Sequence, residues 1–237
     1  MCTSTPHPAI VLDVGCGPGT YHPALAAVGA RLTACDPSAG MLRDAVLQAE
    51  QQQFDIDAAR AGAEALPFAD GVFDTVMANH MLYHVADQQR ALTEMRRVLR
   101  IGGRAIMATN AAQNCARIDS VHDEAARSLG YTPLVPDALR FTLDDLALVR
   151  SVLPDAQVFV RDDAFIFPDA ASAVRYYASY MIDAIEDRPA DGSHRPRLAA
   201  EVHDRIQQVV QREGSFRVPK AAGCFVASRG DAALDPR

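Results

Sequence analysis

The sequence predicts an α/β fold built on a mostly parallel sheet. Strand-like and helix-like patterns alternate through the first half of the chain, a glycine-rich turn follows the first apolar run, and 49% of the 237 residues are hydrophobic. Strands that alternate with helices require right-handed crossovers, which place helices on both faces of a parallel sheet. The length suits one domain, or one domain that carries a sizeable insertion.

Short apolar runs mark five strands in the first half of the chain. They lie at residues 9–14, 31–35, 56–61, 73–78 and 104–108, with helices predicted between them at 21–28, 38–53 and 87–99. Ser38 is the expected N-cap of the second helix, because its side-chain oxygen can accept from a free backbone N–H group of the first turn. Gly102 and Gly103 predict a turn into the fifth strand.

The second half of the chain has longer helical stretches. The predicted elements are helices within 111–130 and at 142–153, a strand at 157–167, helices at 169–187 and 195–211, and a final strand at 218–228. Thr142 and Asp145 have the spacing of a capping box, which predicts that a helix begins there.

The chemically informative segment is the glycine-rich turn after the first strand. Gly15, Gly17 and Gly19 follow a GxGxG spacing, whereas the loop that holds a dinucleotide pyrophosphate has the spacing GxGxxG. A strand, a glycine turn and a helix in this order let a ligand approach backbone N–H groups closely. Asp36, at the end of the second strand, can accept hydrogen bonds from ribose hydroxyls and disfavours a 2′-phosphate. A glycine turn alone can be merely structural, but together with Asp36 it predicts a nucleoside site.

Five segments resemble, in order, the motifs of class I methyltransferases that use S-adenosylmethionine (SAM). They are residues 12–19, 35–42, 63–68, 70–74 and 94–103, and the resemblance is to small-molecule enzymes of the ubiquinone- and menaquinone-biosynthesis type. It implies a Rossmann-like, seven-stranded, mostly parallel sheet in the order 3-2-1-4-5-7-6 with the last strand antiparallel. It also implies a single methyltransferase domain over 1–237, with a SAM-binding core at 9–109 and a helical lid insertion formed by 111–155 and 168–217.

The resemblance further implies which residues bind the cofactor. The expected cofactor-binding residues are Asp13, Gly15, Cys16, Gly17, Gly19, Asp36, Pro37, Met41, Ala63, Glu64 and Asn79. The glycines and Asn79 correspond to the amino-acid end of SAM, Asp36 to the ribose and Met41 to the adenine. Many relatives carry an aspartate where this chain has Gly62. We therefore expect adenine recognition to rest on backbone groups or on Glu64. We also expect SAM binding to be weaker than in the relatives that carry this aspartate.

Candidate residues for the chemistry follow the first and fourth strands. Methyl transfer from a sulfonium needs alignment above all, worth roughly 7–11 kcal/mol, and a general base only for a protonated acceptor. His80 is the preferred base and His84 the second candidate, because both follow the fourth strand at the carboxyl edge of the sheet. The alternative for either histidine is a packing role that holds the loop. Tyr21, His22 and Tyr83 are the expected acceptor contacts beside them.

The helix predicted from residue 169 carries an aromatic stripe. Tyr176 and Tyr180 share one helical face, and Tyr177 lies on the neighbouring face. Such a stripe is more often core than pocket, yet in similar enzymes this insertion covers the active site, so all three tyrosines are candidate acceptor contacts. Lys220, the only lysine, either pairs with an acidic acceptor or anchors the last strand.

Charge and composition narrow the expected partners. The net charge is −7, and the arginines between residues 188 and 217 are interleaved with acids, so nucleic acid is not an expected partner. The sequence has no run of eighteen apolar residues and no secretory signal, and its five cysteines are scattered without a metal-binding spacing. We expect a cytoplasmic monomer or homodimer that has no metal and does not bind membranes.

The sequence therefore predicts methyl transfer from SAM to an oxygen or nitrogen of a small molecule, with S-adenosylhomocysteine (SAH) as the other product. The alternatives are a methyltransferase acting on RNA or protein, and a non-catalytic SAM-binding regulator. The GxGxG spacing argues against a nicotinamide-dependent oxidoreductase. Relatives often carry helices before their first strand, whereas only Met1 to Pro8 precede it here. The cover of the acceptor is therefore expected from residues 111–222, from a partner subunit or from a missing N-terminal segment.

Overall fold

A computed structural model of the chain describes residues 7–134, 141–186 and 188–230. The strands are β1 Ile10–Val14, β2 Arg31–Cys35, β3 Ile56–Ala59, β4 Phe73–Asn79, β5 Leu99–Asn110, β6 Gln157–Phe167 and β7 Phe216–Ser228. The α-helices are α1 His22–Ala27, α2 Ala39–Gln51, α3 Gln88–Val98, α4 Ala116–Ser128, α5 Leu146–Val152, α6 Ala170–Tyr180 and α7 His194–Glu213, and a 3₁₀ helix spans Leu82–His84. Within the described ranges, none of these helices combines the length and apolar character that crossing a membrane requires.

The described strands form one sheet in the order β3-β2-β1-β4-β5-β7-β6, which confirms the expected topology, including the antiparallel last strand. β1 pairs in parallel with β2 and β4, and β2 pairs in parallel with β3. Val14, the last residue of β1, lies opposite Cys35, and Asp13 lies opposite Met77. The carboxyl ends of β1, β2 and β4 therefore meet at one edge of the sheet, which is where open parallel sheets bind ligands.

A side-chain cap marks the beginning of α2, and another side-chain hydrogen bond closes the turn before α5. Ser38 Oγ accepts from Met41 N at 3.4 Å, which confirms the predicted N-cap of α2. The Asp145 carboxylate reaches back to Thr142 N at 2.6 Å, as in a capping box. This contact closes a turn rather than the first turn of a helix, so α5 begins at Leu146 instead of residue 142.

β5 begins at Leu99 instead of residue 104, because the glycine pair lies within the strand and not before it. β4 pairs with β5 at Phe73 and Leu99 and again at Thr75 and Arg104, with an irregular register between these pairs. β5 contains more residues than β4 between these two pairs. Gly102 lies among them and has a φ of 72°, a conformation that glycine adopts without strain. The predicted turn is therefore a bulge inside a longer strand.

α6 is shorter than predicted and ends at Tyr180. The chain turns after this residue, and Ile185 forms an antiparallel bridge with Pro133. This contact is distant in sequence, so helical periodicity alone does not reveal it. The predicted end of the helix, residue 187, lies outside the described residues.

The first of two compact units contains the edge of the sheet just described. It comprises residues 7–112, 141–160 and 223–230. Its main hydrophobic cluster includes Leu12, Val76 and Met107, which are completely buried. Because these residues belong to the neighbouring strands β1, β4 and β5, the middle of the sheet is a rigid support for groups at the strand ends.

The second compact unit comprises residues 113–134, 161–186 and 188–222. Its hydrophobic cluster includes Tyr177, Leu198 and Phe216, which come from α6, α7 and β7 and are completely buried. The expected single domain, with its SAM-binding core and lid segments, stays a prediction.

A side chain at Gly223 should weaken the first unit. A Cβ at this position would lie 2.0 Å from the carbonyl oxygen of Phe159 and 3.1 Å from the Cα atom of Val160. Because both are backbone atoms, Gly223→Ala must displace β6, and we expect a loss of about 2 kcal/mol in the free energy of unfolding, measured by chemical denaturation. Gly40→Ala in α2 is the control, since the nearest atom there is 3.7 Å away. Equal losses in both variants would contradict a steric cause.

Candidate cofactor and active site

Hydrogen bonds fix the glycine loop against the end of β2. Gly15 N donates to the carbonyl oxygen of Cys35 at 2.7 Å. The Asp36 carboxylate accepts from Gly17 N at 3.0 Å and from Ser38 N at 2.8 Å. The loop after β1 and the turn after β2 are therefore joined through one buried carboxylate.

The three glycines of this loop all have positive φ, but their surroundings differ. A Cβ on Gly15 would lie 2.7 Å from the Cβ and Cγ atoms of Met81, and a Cβ on Gly19 would lie 2.6 Å from Nδ1 of His22. A Cβ on Gly17 would meet no atom of the described residues within 4 Å. Packing therefore requires glycine at positions 15 and 19, while Gly17 leaves open space in which a ligand can approach the loop.

A cavity of about 280 Å³ lies beside the loop. The described residues that line it are Asp13, Gly15, Cys16, Gly17, Pro18, Thr20, Tyr21, Asn79 and His80. Two buried polar atoms of these residues, Asp13 Oδ1 and Asn79 Nδ2, have no hydrogen-bond partner within the described part of the chain. Because an unpaired buried polar group is costly, one acceptor and one donor are available here for a bound molecule.

His22 lies in the interior, whereas the sequence predicts it as an acceptor contact. The residue is completely buried, and its Nε2 atom lies 3.1 Å from Asp13 Oδ2. Because a carboxylate oxygen accepts, Nε2 is the donor in this contact. His22 thus supports the glycine loop from within by contacting Gly19 and Asp13, and we leave it out of the proposed acceptor contacts.

His80 occupies a strained position at the carboxyl end of β4. Its φ is 53°, a left-handed conformation that is uncommon for residues other than glycine. Its N–H donates to the carbonyl oxygen of Ala108 in β5 at 2.9 Å. The residue is partly buried beside the cavity, and burial lowers the pKa of its imidazole. The ring is therefore neutral at neutral pH and able to accept a proton, and backbone strain of this kind is concentrated at functional sites.

Tyr83 and His84 follow in the 3₁₀ helix, where their ring centroids lie 4.5 Å apart. Burial raises the pKa of the Tyr83 hydroxyl, while His84 is exposed. Neither is among the described residues that line the cavity. The structure thus brings His80 to the cavity and leaves His84 outside its lining.

The expected adenine contacts lie in the loop after β3 and around the start of α2. Ala63 is buried, while Met41 is 44% exposed and Pro37 is also exposed. Glu64 Oε1 accepts from the backbone N–H of Asp87 at 3.1 Å, and Asp87 is the N-cap residue of α3. Met41 and Pro37 therefore offer exposed apolar surface, whereas the Glu64 carboxylate already has a partner within the protein.

The loop after β3 is held by Glu94 and Arg97 of α3, a pair that the sequence motifs do not point to. Arg97 donates to the carbonyl oxygens of Leu66 and Phe68 at 2.9 and 2.7 Å. Glu94 accepts from Leu66 N at 2.9 Å and pairs with Arg97 at 2.7 Å. The bond from Arg97 holds the pKa of the Glu94 carboxyl below its usual value. The i, i+3 spacing of the pair is visible in the sequence, but the loop that it binds is not.

Cys16 lines the cavity but is not poised as a nucleophile. Burial raises the pKa of its thiol to about 12, and the charges of Asp13 and Asp36 act in the same direction. The thiolate is the nucleophilic form of cysteine, so this side chain stays protonated and unreactive at neutral pH. Its Sγ atom lies 3.3 Å from the carbonyl oxygen of Gly17, as a donor within the loop.

The three tyrosines of α6 have different environments within the second unit. Tyr177 is completely buried, and its hydroxyl lies 2.8 Å from Nδ1 of His122. Tyr176 is partly buried, with its ring centroid 4.8 Å from that of Phe165. Tyr180 is 51% exposed and lies 5.1 Å from the Tyr176 ring. The stripe is therefore core at Tyr177, and only Tyr176 and Tyr180 remain candidates for an acceptor contact.

Lys220 anchors β7 within the second unit. Its Nζ atom lies 3.8 Å from Asp163 Oδ2 and 4.5 Å from the ring centroid of Phe165, both in β6. These contacts support the anchoring interpretation over a pairing with an acidic acceptor.

The chain is similar in sequence to known methyltransferases and in fold to a solved structure. Residues 12–107 match the family described as a methyltransferase domain. The chain is 32% identical over 167 residues to a demethylmenaquinone methyltransferase of Thermobifida fusca, covering 70% of this chain and 65% of that protein. It is 30% identical over 182 residues to a demethylmenaquinone methyltransferase of Renibacterium salmoninarum, covering 77% of this chain and 70% of that protein. The crystal structure of YcgJ from Bacillus subtilis matches with a TM-score of 0.62 at 17% identity, over 95% and 93% of the two chains, which shows the shared fold.

The chain belongs to the class I SAM-dependent methyltransferase family. The match to the Renibacterium protein covers more than two thirds of that relative, and the resemblance seen in the sequence motifs is thereby confirmed. In four other curated relatives, the aligned part spans only 40% to 65% of the relative's own length.

Proposed function

We propose that this protein transfers a methyl group from SAM to an oxygen or nitrogen of a small-molecule acceptor. The observation that carries the proposal is the cavity beside the glycine loop. There, an unpartnered oxygen of Asp13 and an unpartnered amide nitrogen of Asn79, judged against the described residues, accompany the open backbone at Gly17. Family membership indicates the cofactor, and the cavity offers groups that match it.

Polar groups in and beside the cavity fit the amino-acid end and the ribose of SAM. Its amino-acid end carries an ammonium group, which suits Asp13 Oδ1, and a carboxylate, which suits Asn79 Nδ2. Each oxygen of Asp36 accepts one backbone hydrogen bond and keeps a second lone pair, which suits the ribose hydroxyls. The proposed cofactor residues are Asp13, Gly15, Cys16, Gly17, Gly19, Asp36, Pro37, Met41, Ala63, Glu64 and Asn79.

His80 is the proposed general base. When bound, SAM supplies a methyl group on a positively charged sulfur, so the electrophile is already activated. The protein therefore contributes mainly alignment of the acceptor, worth roughly 7–11 kcal/mol. The neutral imidazole of His80, which lines the cavity, takes the proton from a protonated acceptor.

A small-molecule acceptor agrees with the relatives and with the charge of the chain. The two relatives described above are named as demethylmenaquinone methyltransferases, and a net charge of −7 disfavours a phosphate backbone. Tyr21 lines the cavity and is 43% exposed. We propose Tyr21 and Tyr83 as acceptor contacts, and the assignment of Tyr176 and Tyr180 to the acceptor stays a prediction from the sequence.

Removing the Asp36 carboxylate should weaken cofactor binding. We expect Asp36→Ala to lose roughly 1.5–3 kcal/mol of binding free energy for SAH, the usual worth of hydrogen bonds to a charged group. Titration calorimetry with SAH measures this loss, and Asp57→Ala, which removes an exposed carboxylate from β3, is the matched control. Unchanged affinity in Asp36→Ala would remove this residue from the site. Binding of NAD in place of SAH would contradict the proposed cofactor.

A transfer assay with methyl-labelled SAM and an extract of the source organism, fractionated by size, tests the reaction itself. We expect the label in the small-molecule fraction. Label confined to RNA or protein would favour a macromolecular acceptor. SAM binding without any transfer would favour a non-catalytic regulator.

A further inference from the structure

The side chain of Met81 is packed directly against the glycine loop. A Cβ on Gly15 would lie 2.7 Å from the Cβ and Cγ atoms of Met81 and 2.9 Å from its Cε atom. Three atoms along one side chain therefore cover the α-carbon of Gly15. The described residues that line the cavity include Gly15 but not Met81.

Three features of the turn after β4 hold Met81 in this position. The residue before it, His80, has the left-handed φ of 53°, which turns the chain out of β4. The carbonyl oxygen of Met81 accepts from His84 N at 2.9 Å, and this bond closes the 3₁₀ turn. Leu82 and Val85, which follow, are buried in the main cluster of the first unit. The turn is thus anchored on both sides of Met81, so its side chain has little freedom to leave Gly15.

We propose that Met81 is a positioning residue for the cofactor: its side chain sets the shape of the glycine loop from the side of the loop that the ligand does not touch. The inference rests on the proposed function, since it assigns SAM to this loop. The strained backbone at His80 then has a second role besides presenting an imidazole, because it places the Met81 side chain against Gly15. The turn that carries the proposed base and the loop that holds the cofactor consequently behave as one unit.

Binding measurements on the full chain separate this role from a general effect on the core. We expect Met81→Ala to weaken SAH binding about tenfold, within the range by which contacting residues influence each other. Met81→Leu should restore near-normal affinity, because it keeps the apolar volume. The matched control is Leu148→Ala in α5, which removes a partly buried side chain packed on the same cluster. This variant should lose stability while keeping its affinity for SAH.

Two further readouts distinguish positioning from mere packing. In a methyltransferase assay, Met81→Ala should raise KM for SAM about tenfold and change kcat less, since the contact shapes the binding loop. Without any ligand, hydrogen exchange at the amides of Gly15 and Cys16 should become faster in Met81→Ala, because both donate to Cys35 and depend on the loop geometry.

Different results would contradict the proposed function and the positioning role of Met81. If the wild-type chain does not bind SAH, the proposed function is wrong, and the exchange experiment still tests whether Met81 shapes the loop. If the wild type binds SAH and Met81→Ala binds it equally well with unchanged exchange at Gly15, the positioning role is overturned. Equal losses of affinity in Met81→Ala and Leu148→Ala would also overturn it, because the effect would then be one of general stability.

Discussion

His80→Asn should lower kcat by roughly 10²- to 10⁴-fold, the usual contribution of a positioned general base. Asparagine tolerates left-handed backbone better than other residues with a side chain, so this variant removes the imidazole while keeping the φ of 53° that the turn requires. Affinity for SAH should therefore change little. Steady-state kinetics with a fixed acceptor, together with calorimetry, check both expectations.

The pH dependence of kcat gives this prediction a second test. Burial lowers the pKa of His80 from its ordinary value of 6.5, so the neutral, proton-accepting form dominates above the lowered pKa. The rate should rise with pH, reach half its plateau below pH 6.5, and lose this acidic limb in His80→Asn. His203→Asn in α7, whose side chain is 43% exposed, is the control. An acidic limb that persists in His80→Asn but disappears in His84→Asn would identify His84 as the base.

The sheet could be predicted from local sequence patterns because each strand and its helix are encoded within a few residues. β2 and β6 match their predicted bounds, and Ser38 caps α2 as expected. The wrong predictions occur where contacts between residues distant in sequence determine the backbone conformation. Gly102 forms a bulge because β5 continues alongside β4, and α6 ends early where Ile185 meets Pro133. Local periodicity contains no information about either contact.

In the candidate site, too, the residues that local sequence patterns predict differ from those that only the structure identifies. The glycine spacing and Asp36 are readable because a backbone turn and a strand end fix their place. The structure shows one carboxylate of Asp36 joining the two turns. The interior support of the loop cannot be read from the sequence: His22 is predicted as an acceptor contact, and no sequence pattern singles out Met81. Histidine and methionine both occur in cores and in sites, so residue type alone does not distinguish these roles.

Asp13 is expected to have two separable roles, one in stability and one in cofactor binding. Asp13→Ala leaves the buried His22 ring without the acceptor that lies 3.1 Å from its Nε2 atom. We expect a loss of about 3 kcal/mol in the free energy of unfolding, at the upper end of what an unsatisfied buried donor costs. Asp13→Asn keeps an oxygen for His22, so it should destabilise the chain much less. Denaturant titration of both variants measures the difference.

Asp13→Asn also tests whether Asp13 Oδ1, which has no partner among the described residues, binds the ammonium group of the cofactor. Asp13→Asn removes the negative charge while keeping the shape, so its affinity for SAH should fall roughly 10- to 100-fold, the usual worth of a charge-assisted hydrogen bond. Asp57→Ala, an exposed carboxylate of the same sheet, should change neither stability nor affinity. If Asp13→Asn bound SAH normally, the role of Asp13 would be limited to holding His22. The ammonium group would then be expected to lie against backbone carbonyl groups of the loop, because the remaining lone pairs of Asp36, the other buried carboxylate at this edge among the described residues, are assigned to the ribose hydroxyls.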